Sequence, residues 1–321
     1  MVYNVKVQPA GVSFKSEGNL LEDALSQSIH LEYSCKTGEC GTCNADIVCG
    51  EVENEHGEVV SNGAILTCQS KAKSDVILKA NYYPELVNIK QKTVPCKVAS
   101  FEYCTDDIVV IKFRFPPTAK FDYLPGQYVD LSFKGVKRSY SIANAKSATG
   151  ELELHIRKVH NGKMSELLFG QLKENQLMRL EGPKGTFFVK EGNKPLILIA
   201  TGTGIAPIKA IVEELLTKED SRSIDIFWGM QFAKELYCDE LIKLSKQNKH
   251  INFTPVLSKE STANCETGYV QSAVVKAFNS LKGKDVYACG SINMIENSRE
   301  LFLKHNLAEG AFHSDAFVAT K

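Results

Sequence analysis

The sequence predicts a multidomain protein of α+β and α/β class in three parts. A small β-β-α-loop-β domain comes first, then an antiparallel β-barrel, then a doubly wound α/β domain. Three observations predict this order. Short alternating strands and one helix surround a cysteine-rich loop, SCKTGECGTCNAD, residues 34–46. Between about Cys96 and Val189 short strands are punctuated by Gly, Pro and Asn turns. From Pro195 onward apolar strands alternate with helical stretches.

The elements follow in order. YNVKVQ and VSFKSE alternate about Gly11 as a hairpin does, and Asn19 is placed to cap the helix LLEDALSQS. Strands near DIVCGEV and DVILKA complete the first domain, and NYYPELVNIKQKTVP reads as a linker. CKVASFEY, DIVVIKFRF, QYVDLSF, RSYSIA, ELELHIRKV and LMRLEG are barrel strands, interrupted by one helical stretch, KMSELLFGQLK. LILIATGTG, IDIFWGM, INFTPVLS and DVYACG are parallel strands, with APIKAIVEELLTK, AKELYCDELIKLSKQ and VQSAVVKAFNSL as helices.

The 321 residues suit two or three domains, and the net charge of zero argues against a general nucleic-acid binder. Charge is unevenly placed: residues 1–90 carry 7 Lys/Arg against 12 Asp/Glu, leaving 31 against 26 for the rest. The acidic run EVENEHGE, residues 51–58, reads as a solvated loop or a docking surface. MVYNVKVQPA lacks a basic segment followed by an apolar one, and the apolar run PLILIA is far too short to span a bilayer. The expectation is a cytoplasmic chain, without a membrane segment, whose ten cysteines stay reduced.

Cys35, Cys40 and Cys43 form C-x4-C-x2-C, and Cys68 follows in LTCQS. This is the spacing of a plant-type 2Fe-2S site. Four thiolates must converge on two irons, and Gly38 and Gly41 let the backbone approach the sulfides. Zinc would prefer a second C-x2-C pair. A dithiol redox motif would sit at a helix start, and a Rieske centre would need histidines beside its cysteines. Cys49 is expected to be a small buried residue and no ligand.

RSYS, residues 138–141, suits a flavin. Arg138 can pair with a pyrophosphate, Tyr140 can stack on the isoalloxazine, and Ser141 can hydrogen-bond N5. As a string it is weak, and an exposed strand would also contain it. HNGKMSELL adds a second phosphate contact: Gly162 permits a turn, and the amides near Met164 and Ser165 open a helix. GPKGTF, residues 182–187, is a Gly-rich exit from the barrel. ATGTGIAP follows the strand PLILI and opens a helix with Pro207 in its first turn. Its Thr201, Gly202, Thr203 and Gly204 are candidates for a nicotinamide dinucleotide. Cys289 and Gly290, in YACGS, lie at the carboxyl end of another strand, where ligands bind; a buried core thiol is the plainer reading of Cys289. QFAKELY, which follows FWGM, holds no Arg, and Lys234 is the only nearby cation, so NADH is expected over NADPH.

These motifs in this order resemble the ferredoxin-NADP reductase superfamily fused to a ferredoxin. The resemblance implies a β-grasp 2Fe-2S domain over 1–88, an FAD-binding barrel over 94–190 and an NAD-binding domain over 191–321. It implies that Arg138, Ser139, Tyr140, Ser141, Ile156, Arg157, Gly162, Met164 and Ser165 hold FAD, with Arg157 beside the nicotinamide. It further implies roles for Ser141, Cys289 and Asp315 in catalysis and for Phe317 at the flavin, with Phe312 in the core. NADH gives two electrons together and a 2Fe-2S cluster takes one, so a flavin between them makes an electron transformer. Over nearly the whole length, in IHLEYSCKTGECGTC, AILTCQSKAKSD, NYYPELVNIKQKTVPCK, LPGQYVDLSF and FHSDAFV, the chain is similar to the reductases of CDP-hexose 3-deoxygenation, and only the residues outside the cofactor motifs favour that group. Those implied partners are pyridoxamine-phosphate-dependent sugar dehydrases. Reductase components of aromatic-ring and methane-type oxygenases share every cofactor motif and remain an alternative, as does a cofactor-binding redox sensor without turnover.

Overall fold

The structure, a computed structural model, describes residues 1–147 and 149–317. It divides into two compact units, residues 1–90 with Lys184–Thr186, and residues 91–183 with 187–317. The barrel and the α/β sheet, read from sequence as separate domains, fall together in the second unit.

The first unit is a β-grasp. Strands 13–16, 3–8, 76–79, 44–49 and 63–66 make a five-stranded sheet in that order, and strands 59–60, 52–53 and 71–72 make a small second sheet. The expected hairpin is present: Tyr3 faces Ser16 across it, and Gly11 turns it at φ +74°. The helix Leu20–Ser26 starts where Asn19 Oδ1 accepts from the Glu22 amide at 3.0 Å, and it buries Leu20, Leu21 and Ala24. Cys49 departs from expectation. It is exposed, because a register shift in strand 44–49 after Ile47 ends the alternation that would have turned it inward.

In the second unit six strands form a sheet in the order 136–141, 128–133, 177–184, 92–105, 108–114 and 152–157. An antiparallel bridge from Ile142 to Leu154 joins its two edges, closing the barrel. The α/β part has strands 266–267, 251–257, 224–230, 196–201, 285–291 and 312–317, all parallel. Strand 196–201 lies between 224–230 and 285–291. The chain therefore reverses its direction of travel across the sheet between 196–201 and 285–291, which opens a crevice at their carboxyl ends. The helix Ile205–Thr217 buries Ile205, Ile208, Ile211, Val212 and Leu215, each worth roughly 1.5–3 kcal/mol for a fully buried side chain. The helix Ile292–Lys304 and the strand Phe312–Phe317 were not anticipated from the sequence. Phe312 is buried, as expected. Among the described residues no helix is long and apolar enough to cross a membrane.

Candidate functional site

The cysteine loop of the first unit holds its thiols in two pairs. Cys35 is hydrogen-bonded to Cys40, and Cys43 Sγ lies 3.0 Å from Cys68 Sγ. Among the described residues no three Cys, His, Asp or Glu side chains close on one metal ion. Two pairs are what a two-iron cluster takes, since each iron needs two protein thiolates beside the bridging sulfides. One thiol of each pair already favours the ligating form. The Cys40 hydrogen bond pulls Cys35 down to about 4, and the Cys43 hydrogen bond pulls Cys68 down to about 7. The same hydrogen bonds, together with burial, push Cys40 and Cys43 up. Backbone and side-chain N–H groups point at sulfur: Thr37 N donates to Cys35 Sγ at 3.3 Å and Gln69 Nε2 to Cys68 Sγ at 3.6 Å. Gly38 and Gly41 take φ of +84° and +67°, and a Cβ on Gly38 would stand 2.9 Å from Gln69 Cγ. The residues present fit a 2Fe-2S cluster.

In the second unit strand Val136–Ser141 alternates. Arg138 and Tyr140 share one face, Ser139 and Ser141 the other. Arg138 donates to Lys137 O at 2.7 Å, and Ser139 Oγ donates to Asp130 Oδ1 at 2.6 Å. Burial pushes the Tyr140 phenol up against the pull of Arg138. Ser141 Oγ lies 3.4 Å from Asp315 Oδ2, both buried. Cys289 is the register partner of Asp315, and burial with the Asp315 charge drives its thiol well up. Ser141, Cys289 and Asp315 are therefore brought together, although Cys289 is fully buried beneath the cleft floor.

The turn before the helix Lys163–Gln171 is made by Asn161, at φ +57°, while Gly162 sits at φ −80°. Space at 162 is tight rather than the backbone special: a Cβ there would stand 3.1 Å from Val159 and 3.3 Å from Ser165 Oγ, so its neighbours would have to give by a few tenths of an ångström. The Val159 amide donates to Ser165 Oγ at 2.8 Å, which clasps the turn against the start of the helix. Ile156 and Met164 point into the barrel core, so only their backbones are available to a ligand.

A cavity of about 710 Å³ lies at the crevice. That volume is in the range of small-molecule sites. Arg157, Thr201, Gly202, Thr203 and Phe317 line it; the sequence offered Thr201 to Thr203 for the dinucleotide, Arg157 for FAD beside the nicotinamide and Phe317 for the flavin. Gly204 and Gly290 do not line it but let the chain close over the sheet. A Cβ on Gly204 would meet Cys289 O at 2.2 Å, and one on Gly290 would meet Thr201 Oγ1 at 2.2 Å. Arg157 is held from two sides, by Asp107 Oδ2 at 2.7 Å and Glu235 Oε1 at 3.6 Å. Lining residues missed from the sequence include Gln231, Ser258, Tyr269, Asn293 and Asn297. Gln231 and Ser258 each follow a strand whose carboxyl end faces the crevice, and that was the available signal; the others have no local signature. Lys234 is exposed, while Glu235 accepts from the Gln231 and Phe232 amides at 3.0 and 3.1 Å and Glu260 from the Ala233 amide at 2.7 Å.

A loop with two thiol pairs, a barrel strand carrying RSYS and a cavity at the carboxyl ends of a parallel sheet fit an iron-sulfur flavoprotein reductase, an NAD-dependent oxidoreductase. Family models agree along the chain. Residues 5–73 match a 2Fe-2S iron-sulfur cluster binding domain, 95–189 an oxidoreductase FAD-binding domain and 198–300 an oxidoreductase NAD-binding domain. The chain is 48% identical, over 100% of both sequences, to the CDP-6-deoxy-L-threo-D-glycero-4-hexulose-3-dehydrase reductase of Yersinia pestis. It is 31% identical to the propane 2-monooxygenase reductase component of Mycolicibacterium smegmatis, over 88% of this chain and 87% of that one. The Amycolatopsis cytochrome P450 reductase superposes with a TM-score of 0.79 at 26% identity, covering 98% of each chain. The chain belongs to the CDP-6-deoxy-3,4-glucoseen reductase family, within the ferredoxin-fused ferredoxin-NADP reductase superfamily.

Proposed function

We propose that this reductase carries electrons from NADH, through FAD and the 2Fe-2S cluster, to a pyridoxamine-phosphate-dependent sugar dehydrase acting in CDP-hexose 3-deoxygenation. The observation that carries it is the full-length identity of 48% to a hexulose-3-dehydrase reductase, against 31% to the oxygenase component. Bound flavin supplies the exchange between paired and single electrons. The protein's own part is to hold and orient. Tyr140 offers a flat face and Arg138 a guanidinium fork on the same side of one strand. Ser141, hydrogen-bonded to Asp315, presents a hydroxyl from a buried position where proton movement is sheltered from water. Thr201 to Gly204 supply amides at a helix start for a diphosphate. The thiolates of Cys35, Cys40, Cys43 and Cys68 hold the cluster, which calls for a reducing compartment, the cytoplasm.

The test is anaerobic. The protein is reduced with NADH, then mixed with a pyridoxamine-phosphate sugar dehydrase and a CDP-4-keto-6-deoxyhexose. Reoxidation coupled to 3-deoxy product supports the reading. Reoxidation by oxygenase components, with the sugar system inert, would move the chain to the second group. Slow flavin reduction by NADH would mark a sensor.

A further inference from the structure

We propose that Trp228 is a positioning residue for the nicotinamide-dinucleotide cleft, holding the Gly202 carbonyl so that the following amide faces the ligand. The inference rests on reading the cleft as the NADH site. Trp228 is the single tryptophan of the chain and is fully buried. It lies on strand 224–230 opposite Ala200, one residue before the cleft-lining Thr201. Its Nε1 donates to Gly202 O at 2.9 Å. A buried indole N–H ordinarily finds a partner. Here that partner is the turn residue of the crevice itself, and its carbonyl also accepts from the Ile205 amide that opens the helix.

The consequence is geometric. A trans peptide sets the carbonyl of one residue and the N–H of the next in opposite directions. With the Gly202 carbonyl drawn into the core, the Thr203 N–H turns away from it, toward the cleft that Thr203 lines. Gly202 sits at φ +58°, and glycine populates either sign of φ with ease. Without the indole N–H, the Ile205 amide alone holds that carbonyl, and the peptide is freer to rotate. The tether is itself rigid. Tyr237 meets the indole edge-on, with centroids 5.4 Å apart. The Tyr237 hydroxyl is 2.9 Å from His155 Nδ1, and His155 Nε2 is 2.9 Å from Glu153 Oε1. Glu153 in turn pairs with the buried Lys209 at 3.1 Å. The crevice turn is thereby referred to a buried polar chain running from the barrel strand to the helix behind the sheet.

The test uses the full-length protein loaded with FAD and cluster. Trp228→Phe keeps a ring and removes the N–H. The expected result is an approximately fivefold rise in KM for NADH and in Kd for NAD⁺, the size of one ordinary hydrogen bond. The kcat, the FAD content and the transfer from photoreduced flavin to the cluster are expected to stay unchanged. Because there is one tryptophan, global replacement by β-(3-benzothienyl)alanine, which has sulfur in place of the N–H at nearly equal volume, repeats the test without a packing change. An unchanged KM in the isostere-substituted protein would overturn the proposal. So would a loss of FAD and kcat together with KM, which marks packing alone. Failure of the unsubstituted protein to be reduced by NADH would instead defeat the reading of the cleft.

Discussion

At Gly204 and Gly290, behind the residues that line the cleft, there is no room for one more carbon. Each would bring a Cβ within 2.2 Å of a neighbouring atom, and Gly290 also sits at φ +155°. Gly290→Ala should therefore push Thr201 and Met294 outward, at a cost of about 1–3 kcal/mol for overpacking. Expected outcomes are a lower melting temperature and a KM for NADH raised about tenfold or more, read by calorimetry and steady-state kinetics. Tyr140 is a different case, since its ring is half-buried on the barrel surface rather than locked in the core. Tyr140→Ala should leave the barrel folded and weaken flavin retention, measured as FAD released on gel filtration. Unchanged flavin content would remove Tyr140 from the site. The turn at Asn161 carries a caution for motif reading. The adjacent glycine sits in a tight but ordinary backbone conformation, and the asparagine takes the left-handed one.

Elements meet across the second unit through charge buried in low dielectric. Lys209, on the helix Ile205–Thr217, reaches Glu153 at 3.1 Å, Glu213 at 2.6 Å, Glu240 at 3.0 Å and Ala143 O at 3.3 Å. Burial pushes Glu153 up, but the His155 hydrogen bond and the Lys209 charge overcome it and bring Glu153 down to about 2. A carboxyl depressed in the fold stabilises it above its unfolded pKa, and that contribution is lost as pH falls through the folded value. Stability should therefore decline between about pH 4.5 and about pH 2, and Glu153→Gln should flatten that limb of an acid-unfolding curve. Lys209→Ala strands the buried Glu153 carboxylate and should cost about 3–5 kcal/mol. The loop after strand 224–230 makes its own prediction. Glu235 and Glu260 bind its amides with carboxylates where a 2′-phosphate would want cations. NADPH should reduce the flavin with a kcat/KM at least about tenfold below that for NADH, and parity would refute it.

On the scale of the whole molecule, the two units each have a core of their own. Cys40→Ser should therefore abolish the cluster while NADH still bleaches the flavin. The measurements are the cluster's absorption and paramagnetic resonance beside anaerobic flavin reduction. Loss of both together would mean that the second unit depends on the first.

The chain's own pattern determined the parts whose chemistry is local. C-x4-C-x2-C with Cys68 marks thiolates on one loop, RSYS marks one strand, and GTG between an apolar strand and a helix marks a crevice. Periodicity also placed the hairpin at Gly11, the cap at Asn19 and the barrel strands. What it could not reach depends on atoms distant in sequence. Cys49 turned outward through a shift of strand register. Ser141 meets Asp315 across 174 residues, and Trp228 meets Gly202 through a sheet pairing. The polar lining of the cleft, Ser258, Asn293 and Asn297, comes from loops and a helix start whose sequences resemble any solvated surface. Short-range spacing encodes ligands and turns because the backbone geometry that presents them is local. Which side chains face one another across a crevice is decided only when strands take their order in the sheet.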